Sequence, residues 1–189
     1  NWIDVQTGTY TNGLMGDANG NPLPVPGRKL QNAEGTDIYR ILAFWGYEDY
    51  NLTFTWNQTT NKCEVVNDCD TGYFYKSLGG NFCACDGKTA YMLMGQNLTW
   101  AQLEANGIPQ PSFDPATNTF TFTMFYVVWE AGKLYKSVDT FVLDAPASVE
   151  SWESVAVGTL THTTDFFVYP ENVPAKYSSN GYILYGFTI

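Results

Sequence analysis

Four cysteines are the residues of this 189-residue chain most able to form covalent or metal bonds: Cys63, Cys69, Cys83 and Cys85. In a strand, Cys83 and Cys85 would point to the same face about 7 Å apart, which is too far for an unstrained bridge between them. We therefore predict disulfides that join the 63/69 pair to the 83/85 pair, in one of two ways. Free thiols are the first alternative. A four-thiolate zinc site is the second, although zinc ribbons usually carry Cys-x2-Cys knuckles and this chain has Cys-x5-Cys and Cys-x-Cys.

Residues for nucleophilic catalysis are scarce. His162 is the single histidine, and no serine lies in a Gly-x-Ser-x-Gly context. Asp165 follows three residues later, on the opposite face of a strand, so a surface histidine is the simpler interpretation. Paired carboxylates for glycoside hydrolysis need only spatial proximity, and 19 acidic residues offer many accidental pairs. We predict that the protein is not an enzyme, with a hydrolase as the less favoured alternative.

Asp17-Ala18-Asn19-Gly20-Asn21 places oxygen ligands at positions 1, 3 and 5, as a calcium loop does. Position 6 should then be glycine and is Pro22, and position 12 should be glutamate and is Arg28. The segment is therefore predicted to be a polar turn. We predict no bound metal and no cofactor.

An aromatic segment, Phe44-Trp45-Gly46-Tyr47-Glu48-Asp49-Tyr50, joins two predicted strands. Sugars stack their C–H faces on aromatic rings, while carboxylates accept hydrogen bonds from hydroxyls, and loops on a rigid scaffold commonly carry recognition. Gly46 would let the backbone turn tightly. The alternative is that the rings plug the core at a sheet end. The ligand-binding candidates are Trp45, Tyr47, Glu48, Asp49 and Tyr50.

Charge and composition narrow the class of protein. Nine basic residues against 19 acidic ones give a formal charge of −10, so the clustered positive charge of a nucleic-acid interface is not expected. No run of 18 apolar residues occurs. We expect no nucleic-acid partner, and contact with a membrane only through a lipid anchor that is not present in these 189 residues.

Alternating apolar and polar residues predict most of the elements. Asn51–Trp56 and Lys62–Val66 form a hairpin pattern, and Thr119–Trp129 places apolar side chains on both faces at its far end. Other predicted strands are Asp37–Phe44, Gly72–Ser77, Phe82–Cys85, Thr89–Met94, Asp139–Leu143, 158–167 and 181–189. One short helix is predicted after Thr99, where Gln102 completes a capping box and Gly107 ends the helix. The fold class is therefore all-β: an antiparallel β-sandwich or partly closed barrel of roughly ten strands with one short helix.

A repeat sets the domain organisation. Trp2, Val5, Gly8, Thr9 and Thr11 recur 150 residues later in the segment that begins at Trp152, and both segments are predicted to be the opening strand of a β module. We predict a complete β module at 1–146 and, at 147–189, the start of a second, truncated repeat that docks on the first.

Several stretches resemble tandem-repeat surface lipoproteins of gut Bacteroidetes. The matching stretches cover most of residues 2–144, in order: Gly8–Thr11, Glu34–Ile41, Trp45–Tyr47, Phe54–Asn57, Asp70–Tyr73, Phe113–Phe120 and Asp139–Leu143. The resemblance implies an all-β module exported to the cell surface or periplasm, and it supplies no active site. The four cysteines and the short second copy depart from that family pattern.

These observations give a leading function and one main alternative. We expect a non-enzymatic surface module for binding or adhesion, with carbohydrate or another surface protein as its partner. The alternative is a structural spacer repeat of a surface lipoprotein.

Overall fold

The computed structural model describes residues 1–66 and 68–145, and the backbone of three further strands at 153–158, 173–177 and 183–185. The chain divides into two compact units, residues 1–144 and 145–189. The strands of the first unit are β1 (Trp2–Gly16), β2 (Pro22–Ala33), β3 (Ile38–Ile41), β4 (Leu52–Asn57), β5 (Lys62–Val65), β6 (Cys69–Tyr75), β7 (Gly80–Asp86), β8 (Ser112–Asp114), β9 (Thr119–Val128) and β10 (Lys133–Leu143). Its helices are α1 (Gly87–Leu93), α2 (Trp100–Ala105) and a 3-10 turn at Trp129–Ala131.

Eight of these strands close into an antiparallel barrel. The sheet runs β10-β1-β2-β3-β4-β5-β8-β9, and β9 pairs again with β10 along Thr119–Val128. The other two strands, β7 and β6, extend the sheet from the second half of β9. The prediction of an antiparallel all-β fold is confirmed. The barrel is closed rather than partly closed, because β9 is long enough to pair with β10 on one side and with β8 and β7 in succession on the other.

Aromatic side chains fill the barrel interior. Alternate residues of β9 from Phe120 to Val128 face inward, as their period-2 pattern predicts. They meet Phe54 from β4 and Phe141 from β10, all fully buried. An eight-stranded barrel is just wide enough for its side chains to fill it or to hold one small ligand. In this barrel, large rings occupy the centre.

A second, smaller cluster lies on the outer face of β7 and β9. Phe125 and Val127 pack there against Leu103 and Ile108 near α2. The sequence places apolar side chains on both faces at the far end of β9, and these two residues are covered, whereas Trp129 just beyond them is 45% exposed. Neither helix in the described residues is long and apolar enough to cross a bilayer.

The helix at Trp100–Ala105 forms as predicted, with the Thr99–Gln102 capping box present. The predicted strand at Thr89–Met94 is wrong, because this segment belongs to α1. The buried Asp86 carboxylate accepts a hydrogen bond from Thr89 N at 2.8 Å and caps the helix. The N-cap aspartate therefore overrides the apolar pattern that suggested a strand.

The longest element missed by the sequence patterns is β2. Prolines at 22, 24 and 26 argue against a central strand. In the structure, β2 pairs with β3 only through Leu30–Asn32, while its proline-rich half pairs with β1 alone. The proline-rich half has no second neighbouring strand, so the missing N–H groups of the prolines remove no ladder hydrogen bonds on that side.

The second unit contains a three-stranded antiparallel meander, β11 (Glu153–Gly158), β12 (Val173–Tyr177) and β13 (Ile183–Tyr185). The register skips one residue in β11 between Ser154 and Ala156. In the first unit, β1 skips one residue between Asp4 and Gln6. The two meanders therefore carry the same β-bulge at positions 150 residues apart, at Val5 and Val155. The remainder of the predicted strands at 158–167 and 181–189 lies outside the described residues.

Candidate functional site

A cavity of about 190 Å³ opens at the end of the barrel that carries the β1–β2 turn and the β3–β4 loop. Its lining is largely apolar and aromatic. It consists of Asn12, Met15, Leu23, Val25, Phe44, Trp45, Tyr47 and Tyr73. Typical small-molecule sites measure about 300–1,000 Å³, so this cavity suits one ring or one side chain.

Trp45 connects this cavity to the barrel core. Its indole Nε1 donates a hydrogen bond to the Tyr126 hydroxyl at 3.1 Å. Its ring centroid lies 4.9 Å from that of Tyr126 and 5.9 Å from that of Tyr73. The residue is half-buried, so one ring contributes both to core packing and to the cavity wall.

Beneath Trp45 lies a buried carboxylate, Asp139, on β10. Two hydroxyls and an amide donate to its Oδ2, and one backbone N–H and one hydroxyl donate to its Oδ1. The donors to Oδ2 are Tyr10 at 2.7 Å, Asn12 at 3.0 Å and Tyr126, and those to Oδ1 are Gly13 N at 3.0 Å and Ser137 at 2.5 Å. Five hydrogen bonds compensate for taking this carboxyl group out of water.

The two tyrosines of this network remain protonated at physiological pH. Burial, and then the charge of Asp139, raises the pKa of Tyr10 and of Tyr126 well above the ordinary value near 10.0. Their hydroxyls therefore remain hydrogen-bond donors. The Tyr126 hydroxyl also accepts from the Trp45 indole, so the network fixes the position of that ring as well. The network holds the base of the cavity in one arrangement.

Two glycines let the β3–β4 loop take its path. Gly46 has φ 91°, as expected for a tight turn between Trp45 and Tyr47. Gly72 on β6 has φ 80°, and a Cβ at this position would lie 2.6 Å from the Tyr50 ring and 2.9 Å from Tyr47 Cβ. The loop therefore packs against the bare backbone of Gly72.

The structure brings two of the five predicted ligand residues into the cavity, namely Trp45 and Tyr47. Tyr47 is 43% exposed, whereas Tyr50 is half-buried against Gly72. Glu48 and Asp49 are exposed in the loop segment between these two tyrosines. All five remain candidates.

Sequence reasoning missed Asn12, Tyr73 and Asp139. Asn12 and Tyr73 come from strands distant in sequence from the loop, and no local pattern joins them to it. Asp139 had a usable signal, because period-2 alternation places it on the same face as Phe141. An acidic residue on a core face is unusual enough to suggest a network.

The predicted disulfides are not formed, and all four cysteines are free thiols in the structure. Cys69 pairs with Ala84 in the β6–β7 ladder, so it shares the inward face on which Cys63 also lies. Cys83 and Cys85 point to the opposite face, where Cys85 packs in the outer cluster. Each predicted bridge would therefore have to cross the sheet.

Burial holds the four cysteine side chains in the thiol form. Burial raises the pKa of Cys63 to about 12 and that of Cys85 to about 12, and it also raises the pKa values of Cys69 and Cys83. The reactive form is the thiolate. These residues therefore behave as small apolar side chains at neutral pH.

The calcium-like segment that begins at Asp17 is a closed polar turn. The Asp17 carboxylate accepts hydrogen bonds from the backbone N–H groups of Asn19 and Asn21, at 2.8 and 2.9 Å, and so closes its own turn. Residues 1–66 and 68–145 contain no cluster of three or more metal-ligating side chains. His162 lies outside the described residues.

Comparisons with protein-family models, with curated proteins and with solved structures found no significant match.

Proposed function

We propose that this protein is a non-enzymatic binding module, exported to the cell surface or periplasm, that takes a carbohydrate ring in the barrel-end cavity. The observation that carries the proposal is the convergence of Trp45, Tyr47 and Tyr73 on one cavity. Aromatic faces suit the C–H faces of a sugar. The Tyr47 and Tyr73 hydroxyls make no hydrogen bond to another described residue, so both are available to a ligand.

The negative charge near the cavity restricts the kind of ligand that can bind. Glu48 and Asp49 are exposed in the loop, and the chain carries a formal charge of −10. These carboxylates can accept hydrogen bonds from hydroxyls but repel anionic groups. A neutral sugar therefore fits better than an acidic one. The resemblance to surface lipoprotein repeats supports an exported location and supplies no catalytic residues.

The experiment is a glycan array probed with the full chain, followed by titration of any glycan that binds. Tyr47→Ala should weaken binding about tenfold or more, as expected for the loss of a stacking residue, and should barely change stability because Tyr47 is exposed. Phe74→Ala is the matched control, since Phe74 is a 57% exposed ring that is not among the residues lining this cavity.

Three outcomes separate the alternatives. A silent array would favour a structural spacer or a protein partner. Glycan binding that Tyr47→Ala leaves unchanged would remove the cavity as the site. Turnover of a bound polysaccharide, abolished by changing one carboxylate, would favour a hydrolase.

A further inference from the structure

The opposite end of the barrel carries a second depression. In an antiparallel meander, the β2–β3 and β4–β5 turns lie at the end away from the β3–β4 loop. Between these turns is a hollow of about 340 Å³ lined by Thr36, Asp37, Tyr39, Trp56, Asn57 and Gln58. A hollow of about 410 Å³ shares Asp37 and Asn57 with it and continues towards Glu64 and Gln110. The two hollows adjoin at these shared residues and are together called the groove below.

Trp56 lines this groove and closes the barrel. Its ring centroid lies 4.8 Å from that of Phe113, 4.9 Å from that of Phe120 and 5.2 Å from that of Tyr39. Its indole Nε1 is buried without a hydrogen-bond partner, the one such side-chain atom in the described part of the chain. An unpaired buried donor costs free energy and calls for an explanation.

The rest of the groove supplies the chemistry that polyhydroxylated ligands need. Asp37 is exposed and offers acceptors. Gln58 Nε2 donates to the Tyr39 hydroxyl at 2.6 Å, which leaves the Gln58 carbonyl and that hydroxyl's hydrogen for a ligand. Each sugar hydroxyl both donates and accepts, so donors and acceptors placed around aromatic rings match such a ligand. The exposed Asp37 carboxylate disfavours an anionic ligand in the first hollow, and in the second hollow the charges of Lys62 and Glu64 offset each other.

We propose that this groove binds a neutral oligosaccharide, with the Trp56 indole N–H donating to a sugar oxygen and Asp37 accepting from a hydroxyl. Two adjoining hollows suit a chain of sugar rings, whereas the cavity at the other end suits one ring. Nε1 is covered by neighbouring side chains, so binding must move one of them. Gln58 is the exposed candidate, held by one hydrogen bond.

The test uses the full chain and a set of neutral hexasaccharides (gluco-, xylo- and manno-configured) in calorimetric titrations. Trp56→Phe keeps a ring in the core and removes the N–H. We expect only a modest loss of stability, which comes from the smaller ring and not from a lost hydrogen bond, and an affinity reduced about tenfold, the value of one good hydrogen bond. Asp37→Asn should also weaken binding.

Trp45→Phe is the comparison for stability alone, because it removes an indole N–H that does have a partner and should therefore cost more stability than Trp56→Phe. Phe74→Ala is the control for binding, since this exposed ring lines neither hollow, and it should leave hexasaccharide binding intact. Failure of all the hexasaccharides to bind, or binding unaffected by Trp56→Phe, would overturn the proposal. Binding lost in Tyr47→Ala but kept in Trp56→Phe would also overturn it and would assign the ligand to the cavity alone.

Discussion

Tyr126 is the residue that connects the core to the cavity at the loop end of the barrel. Its hydroxyl donates to Asp139 and accepts from the Trp45 indole, so it joins the buried carboxylate to the cavity wall. Tyr10 donates to the same carboxylate but contacts no indole nitrogen. The two tyrosines are therefore a matched pair for measuring what the link to Trp45 contributes.

Tyr126→Phe should destabilise the protein by about 2–4 kcal/mol, because it removes a donor to a carboxylate and leaves the Trp45 N–H unpaired. Tyr10→Phe also removes a donor to this carboxylate but leaves no indole N–H unpaired, and it should cost about 1.5–3 kcal/mol. Urea unfolding monitored by fluorescence gives both values. A smaller cost for Tyr126→Phe than for Tyr10→Phe would contradict the proposed connection.

Asp86 predicts a specific pH dependence. Burial raises the pKa of this carboxyl group above its ordinary value of 3.8, and the charge of Glu64 adds to that effect. The folded state therefore holds the proton more tightly than the unfolded state. The stabilisation that results is present below pH 3.8 and is lost as pH rises through the folded-state pKa.

Asp86→Asn tests this dependence, since asparagine caps a helix equally well and does not titrate. The free energy of unfolding of the wild type minus that of Asp86→Asn should decrease as pH rises from about 3.5 to about 7, a range that begins just below the ordinary aspartate pKa. Urea unfolding at several pH values gives the difference. A difference that grows with pH would show that the folded state favours the charged carboxylate.

At the scale of single elements, the sequence patterns correctly predicted the features that depend on interactions between nearby residues. The Thr99–Gln102 capping box and the alternation in β9 lie within a few residues, and the structure confirms both. The helix α1 depends on Asp86, whose carboxylate also accepts from Val65 N across the fold. Barrel closure depends on β1 meeting β10 about 130 residues apart, which no local pattern contains.

Gly72 shows how one strand sets the shape of the candidate site. Gly72→Ala would force a left-handed backbone on alanine and drive a Cβ into Tyr50 and Tyr47. Gly79 has a similar φ of 72° with nothing within 4 Å of a Cβ, so Gly79→Ala is the control for backbone strain alone.

We expect Gly79→Ala to cost about 1 kcal/mol and Gly72→Ala about 1–3 kcal/mol more, as overpacking does. Gly72→Ala should also weaken any glycan binding that depends on Tyr47. Urea unfolding and glycan titration of both variants check this. Equal costs for the two substitutions would mean that the loop adapts freely.

At the scale of the whole chain, the two units share a strand arrangement. Gln6 pairs with Leu30, which pairs with Ile41, and Ala156 pairs with Ala175, which pairs with Tyr185. Both meanders skip one residue at the same point, Val5 in the first unit and Val155 in the second, so their strand registers correspond. The sequence repeat alone indicates that the two units are related, but only the strand pairing in the structure shows that they share a β-bulge.

The docking of residues 147–189 on the first module stays a prediction. The first unit closes its meander into a barrel with five more strands, whereas the second unit has three described strands of six, five and three residues. Three short strands need an apolar face that is covered by something else. We expect the first module to cover it.

Deleting residues 147–189 should therefore lower the melting temperature of the first module by several degrees, as about 1 kcal/mol does in a domain of this size. The deletion should also reduce the solubility of the module by exposing the covered surface.

Lys176→Pro is the matched point variant, because proline in the central strand of the meander breaks its ladder. It should reproduce part of the effect at constant chain length. Calorimetry and sedimentation of the three proteins give the comparison. An unchanged melting temperature and solubility in the deletion variant would show that residues 147–189 do not dock on the first module.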